Sequence, residues 1–207
     1  DVSAWYHIVI AFDTTQGDAS NRVKMYVNNR QITSFDNTTR PSQNQQHAVN
    51  DNVEHQIGNQ VGNTRYFDGY MAEINHVDGQ QLEPSSFGEY HPVTGAWVPR
   101  SYSGSHGTNG FYLNFSDNSN NTAATLGKDS SGSNNFTPNN FSVSAGQGND
   151  SLEDTPTNNW CTLNPSYTSD VSTYSNGNLD VVCNNASTAG GTIAVKSGKW
   201  YAEVVCT

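Results

Sequence analysis

The residue best placed to do chemistry is the glutamate at the centre of Phe67-Asp-Gly-Tyr-Met-Ala-Glu-Ile-Asn-His-Val-Asp-Gly79. Glu73 stands in a short apolar and aromatic run closed by Asp78-Gly79, which reads as a strand with one buried carboxylate. A glycoside hydrolase would use such a group. Retaining hydrolysis needs two carboxyl groups roughly 5 Å apart, one as nucleophile and one as acid. On a strand the second acid must stand two or four residues away, because alternate side chains share a face. The same-face positions are Gly69, Met71, Asn75 and Val77, while Asp68 and Asp78 have the opposite parity. A lone glutamate cannot fill both roles. The hydrolase is therefore the remotest reading, and Glu73 is expected to accept structural hydrogen bonds where the strand meets a loop.

Other chemistries find less support. The six histidines, His7, His47, His55, His76, His91 and His106, are scattered without an HExxH motif or an i, i+4 pair. No GxSxG nucleophile elbow occurs. Cys161, Cys183 and Cys206 make an odd count without CxxC spacing, so they suit half-buried thiols better than zinc, with one disulfide conceivable. Asp13, Asp18 and Asp36 flank a predicted hairpin and offer the hard oxygen ligands of calcium, although acidic turn residues more often close Asx-turns. Apart from calcium no cofactor is expected, and the chain is read as a non-enzyme. Carbohydrate recognition would use exposed rings and amides. Tyr26, Tyr66, Trp97 and Tyr102 are the candidates, with the amide-rich loop 43–52. The competing reading is that Trp97 and Tyr102 pack against the fold.

These residues must be positioned by strands. The 207-residue chain is 33% hydrophobic and 11% aromatic, and Asn, Ser, Thr and Gly fill much of the rest. That composition favours turns and short strands over helices. The net charge of -10, with nine Lys+Arg, leaves no basic stripe for phosphates. Nucleic acid and anionic membranes are thus not expected as partners.

In chain order, Trp5 to Phe12 reads as a strand with Tyr6, Ile8, Ile10 and Phe12 on one face. Trp5, His7, Val9 and Ala11 form the other, and both faces are expected to be at least half buried. Arg22 to Asn28 alternates, with Val23, Met25 and Val27 predicted inward and Arg22, Lys24 and Tyr26 outward. Asn28-Asn29 is a turn leading into Gln31 to Thr33. Residues 36–52 form a loop, and His55 to Gly58 a short strand. Leu82 to Phe87 is a turn with at most one helical turn. Phe111, Leu113 and Phe115 alternate along a strand from Gly110. Residues 116–159 read as an extended connector with anchors at Leu126, Phe136 and Phe141. Strands follow at 178–183 and 198–206. The chain opens on a strand and stops after one, so it is expected to be the interior of a longer protein.

Several phrases carry a family resemblance. Ala4-Trp-Tyr-His-Ile-Val9 with Arg22-Val-Lys-Met-Tyr-Val-Asn28, and Gly69-Tyr-Met-Ala-Glu-Ile-Asn75, resemble strands of laminin-G-like, concanavalin-A-type jelly rolls. Gly110-Phe-Tyr-Leu-Asn-Phe-Ser-Asp117, Leu126-Gly-Lys-Asp-Ser-Ser-Gly132 and Asn149-Asp-Ser-Leu-Glu-Asp-Thr-Pro-Thr157 resemble a connector of marine bacteriophage proteins, including those of cyanophages. Cys161-Thr-Leu-Asn-Pro165, Leu179 and Ser197-Gly-Lys-Trp-Tyr-Ala-Glu203 are similar to the opening of a SPRY-type sandwich. The resemblance implies an all-β chain in three parts. These are the C-terminal part of a jelly roll (1–116), an Asn/Ser/Gly-rich connector (117–159) and the first strands of a SPRY-like sandwich (160–207). It further implies a non-catalytic structural or adhesion protein at the virion surface, as tail fibre, head fibre or capsid decoration. Its partners would be other virion proteins, further copies of itself and host-surface glycans. The alternative is a carbohydrate-binding module of a secreted or cell-surface protein.

Overall fold

Runs of β-branched and aromatic residues build the largest sheet. The computed structural model describes residues 5–51, 53–60, 62, 65–144, 149–152, 154–157, 161–168, 172–175, 178–183 and 188–204. Within them β1 (Ile8–Phe12), β2 (Val23–Val27) and β3 (Arg30–Ile32) form an antiparallel sheet in that order. Ile8 lies opposite Val27, and Met25 opposite Ile32. Asn28 and Asn29 make the β2–β3 turn with φ of 48° and 65°. A two-residue hairpin needs both residues left-handed to match the twist of its strands, and asparagine tolerates that conformation.

The covered face of this sheet is the opposite of the one expected. Val9, Ala11 and Tyr26 are 9%, 4% and 6% exposed and form the core, with Phe87 packed against them. Val23, Met25 and Val27 share the other face with Ile8 and Ile10, which are 62% and 61% exposed. Period-two alternation separates two faces without saying which is covered. The cover is supplied by sequence some sixty residues later. The expectation that both faces of β1 are half buried fails with it.

That cover is tied down at several points. The 3-10 turn Pro84–Ser86 has Pro84 fully buried. Just before it, Gln81 Nε2 donates to the Asn21 carbonyl at 2.9 Å, and Lys24 pairs with Glu83 at 3.6 Å. β4 (Ile74–His76) is a strand that pairs with the later β7 (Phe111–Leu113). Between them, β5 (Gly88–Tyr90) and β6 (Trp97–Pro99) form a hairpin. Leu113 is 2% exposed, and Phe111 meets Phe136 edge-on at 4.7 Å.

The segment after β7 is not an extended connector in its first part. Leu126 is buried, and the Asp129 carboxylate, 2% exposed, accepts hydrogen bonds from Tyr112 N, Ser131 N, Ser131 Oγ and Asn134 N. Asn134 Nδ2 donates in turn to the Thr108 and Gly110 carbonyls. Burial would raise the pKa of Asp129, but these hydrogen bonds outweigh it and hold the carboxyl below its ordinary value. The loop is folded back onto β7 by this ionised side chain together with Asn134 and the Ser130 N–H, which donates to the Tyr112 carbonyl at 2.7 Å. Leu126 and Phe136 are anchors, whereas Phe141 is 52% exposed and anchors nothing.

Beyond Cys161, β8 (Leu163–Thr168) pairs with β11 (Ala189–Gly191), and β9 (Ser172–Ser175) with β10 (Asp180–Cys183). The chain is all-β: every strand pairing described is antiparallel, and the helical residues described are three short 3-10 turns. Several local expectations fail. His55 to Gly58 is not a strand, and only an isolated bridge joins Asn59 to Tyr66. Phe115 is left-handed, with φ of 53°, and lies outside β7. Residues 198–204 are not a strand, and Trp200 and Tyr201 are 67% and 86% exposed. Cys161 and Cys183 are free and exposed rather than half buried, while Trp160 and Cys206 lie outside the described residues.

Candidate functional site

Glu73 stands just ahead of β4, not in the middle of a long strand, with φ of 54°. The run from Phe67 to Met71 is instead an exposed aromatic loop. A left-handed residue there ends the parity on which a catalytic pair would depend. Its carboxylate accepts a hydrogen bond from the Tyr112 hydroxyl. Burial, and then that bond, push the tyrosine pKa well up, so the phenol stays protonated. Asn75 lies opposite Tyr112 in the β4–β7 register, and its Nδ2 donates to the Glu73 carbonyl at 3.2 Å. The Oδ1 of Asn75 is 2.9 Å from His106 Nε2, and the His106 ring stacks on Tyr112 at 5.9 Å and 11°. Burial lowers the pKa of His106. Glu73 is thus the acceptor at the strand–loop junction. Nearby Asp78 is also committed, accepting from Asn50 Nδ2 at 2.5 Å and from Asn109 N at 3.2 Å.

The three aspartates weighed as calcium ligands do not converge. Asp13 accepts from Thr15 N, Thr15 Oγ and Gln16 Nε2, and these bonds, that from Gln16 first, lower its pKa. Asp18 caps the 3-10 turn Ala19–Asn21, accepting from Ser20 N and Ser20 Oγ, which also lowers its pKa. Both are Asx-turn residues. Asp36 is exposed in the following loop. Among the described residues no group of three or more His, Cys, Asp or Glu side chains could hold a metal.

The aromatic candidates separate. Tyr26, expected outward, is buried on the covered face, and burial pushes its pKa up to about 12. Its ring is not available for stacking. Tyr102 packs between Phe87, at 5.0 Å, and His106, at 5.1 Å, so for this residue the packing reading holds. Tyr66 is 70% exposed on the loop bridged to Asn59. Trp97 alone belongs to a built surface corner.

That corner is assembled from three parts of the sequence. Trp97 lies directly opposite Tyr90 in the β5–β6 hairpin, so their rings share one face. The rings meet edge to face at 5.0 Å and 73°. The indole extends diagonally across Gly88, where a Cβ would come within 2.5 Å of Trp97 Cζ2. Only glycine leaves room for the ring there. Trp97 Nε1 donates to His7 Nδ1 at 2.9 Å, and the two rings stack at 6.0 Å. Because an indole N–H can only donate, His7 Nδ1 is unprotonated, and burial lowers the histidine pKa in the same sense. From the β2–β3 turn, Asn28 Oδ1 accepts from His7 N at 2.8 Å, and Asn29 Nδ2 donates to the Tyr90 hydroxyl at 3.3 Å.

Chemically, this corner can bind but has no nucleophile or acid pair. From sequence His7 was weighed only as a metal ligand and Asn28-Asn29 only as a turn, and Tyr90 and Gly88 were not singled out. The signal that could have found Tyr90 is Gly88-Glu-Tyr-His-Pro-Val-Thr-Gly-Ala-Trp-Val-Pro99. Two short runs flank a Pro-Val-Thr-Gly turn there, which is a hairpin pattern. No protein-family model, curated protein or solved structure matches this chain.

Proposed function

We propose that the protein is a non-catalytic structural and adhesion component at the surface of a marine phage particle, built on β-sandwich modules of the laminin-G-like and SPRY types. The observation that carries the reading is the open face of the β1–β3 sheet. There Ile8 and Ile10 stand more than 60% exposed beside the half-buried Val23, Met25, Val27 and Ile32. A contiguous apolar sheet face suits a subunit that packs against neighbouring protein in an assembly. The commitment of Glu73 to Tyr112 supports the non-catalytic part. Localising the chain on purified intact particles, by mass spectrometry and electron microscopy, tests the reading. Particles that lack it overturn the virion assignment.

Carbohydrate recognition is the second reading, compatible with the first. It is favoured by one observation, the Tyr90–Trp97 corner with its flanking amides.

A further inference from the structure

The surface corner is held more firmly than an incidental contact requires. Tyr90 is 59% exposed, yet its ring is fixed from two sides, by the edge contact to Trp97 and by the Asn29 amide on its hydroxyl. Trp97 is fixed beneath it by the His7 acceptor and by its seat on Gly88. His7 is fixed through its backbone N–H on Asn28. An exposed aromatic ring held in one orientation loses little conformational freedom when a ligand covers it. Preorganised aromatic surface is a feature of binding sites more than of solvated turns.

The chemistry beside the ring indicates what it would take. The Tyr90 face offers an apolar plane. The Asn29 and Asn28 amides and the Tyr90 hydroxyl offer donors and acceptors along its rim. Trp97 and His7 add no charge, because the histidine Nδ1 is occupied as an acceptor. The chain as a whole carries a charge of -10 and repels anions.

We infer that this corner binds a neutral pyranose residue of a glycan, with one C–H face of the sugar stacked on Tyr90 and its hydroxyls on the Asn28 and Asn29 amides. The inference rests on the carbohydrate reading and is independent of whether the chain sits on a particle. Failure of sugar binding therefore leaves the particle assignment to its own test.

The experiment is calorimetric titration and saturation-transfer NMR of the whole chain with cellohexaose, mannohexaose and a galacto-oligosaccharide, and with a sulfated galactan as the anionic control. At least one neutral oligosaccharide is expected to bind, with the sulfated glycan weaker. Tyr90→Ala should weaken that binding by about tenfold or more, because a central stacking ring is removed. Tyr90→Phe keeps the ring and should cost only about threefold, since one hydrogen-bonding group is lost. Asn29→Ala should fall between them. Circular dichroism of Tyr90→Ala should match the parent, as the side chain is mostly exposed. Three results overturn the inference: no neutral oligosaccharide binds, binding survives Tyr90→Ala unchanged, or the sulfated glycan binds tightest.

Discussion

The two faces of the β1–β3 sheet differ in composition and meet opposite fates. Val9, Ala11 and Tyr26 are buried with Phe87 packed against them, while Ile8 and Ile10, one residue away along the same strand, stand open. By hydrophobicity alone the Ile8, Ile10, Met25 and Ile32 face has the stronger claim to be the core. The face that is covered carries a tyrosine, a lysine and a histidine. It also carries the partners they need, with Glu83 for Lys24 and Trp97 for His7. The covered face thus carries polar groups whose partners arrive with the covering segment, beside the apolar contact of Phe87. The open face is mostly aliphatic, with Arg30 opposite Val27 and Phe12 edge-on to His47 at 5.2 Å.

The largest test of this contrast is a pair of matched substitutions. Val9→Asn buries an amide without a partner and should cost about 3 kcal/mol in urea unfolding. Ile10→Asn, on the open face, should cost about 1 kcal/mol or less, mainly as lost strand propensity. Equal losses at the two positions would break the comparison, because they would mean that the Ile10 face is also covered in solution.

A smaller effect is expected where the cover meets the covered face. Gly88→Ala places a methyl group where the Trp97 indole lies, within 2.5 Å of Cζ2. Overpacking of this kind costs about 1–3 kcal/mol. The same change should shift the ring-current-sensitive NMR signals of Tyr90 and His7, since Trp97 has to move off the strand. An unchanged spectrum would show that the indole does not lie on Gly88.

How much of this was legible in the sequence depends on which force set each feature. The hairpin at Asn28-Asn29 was legible because it is local, with two residues tolerant of positive φ between alternating runs. The all-β class followed from composition. The covered face was not legible, because Phe87 arrives from some sixty residues beyond Tyr26 and Trp97 from 90 beyond His7, and no periodicity in β1 or β2 announces them. Glu73 was half legible. Its structural role at a strand–loop junction was expected, but neither its left-handed φ nor its partner Tyr112, 39 residues away, is marked in the local sequence. Asp129 was missed altogether. In Lys-Asp-Ser-Ser-Gly it resembles any Asx-turn residue of an amide-rich connector, and only the arrival of Tyr112 N makes it a buried clasp.

The histidine on the covered face adds a pH dependence that the open face lacks. Burial holds the pKa of His7 below its ordinary 6.5, so the folded state binds its proton less readily than the unfolded chain. Stability from this group is complete above 6.5 and is lost as pH falls from there through the folded pKa. His76 and His106 are shifted in the same direction and act in the same window. The urea midpoint should therefore fall between about pH 7.5 and pH 5.5. His7→Gln, which retains an acceptor for the indole N–H, should remove part of that fall and leave the remainder. A variant with the full pH dependence of the parent would show that His7 is protonated equally in both states.

The smallest effect separates burial from charge on the covered face. Glu83 pairs with Lys24 at 3.6 Å, but its side chain is 54% exposed, and exposed pairs of this kind contribute about 0–1 kcal/mol. It also stands near the Tyr26 hydroxyl, whose pKa is pushed up to about 12 first by burial and only then by Glu83. Glu83→Gln retains an acceptor near Tyr26 and removes the charge. It should change stability by less than about 0.5 kcal/mol. In a spectrophotometric titration Tyr26 should still ionise above the ordinary tyrosine range, because the larger cause remains. A loss well above that figure, with the tyrosine returning to its ordinary pKa, would mean that the ion pair rather than the packing of Val9, Ala11 and Phe87 holds the cover on this face. The two faces would then differ in charge before they differ in contact.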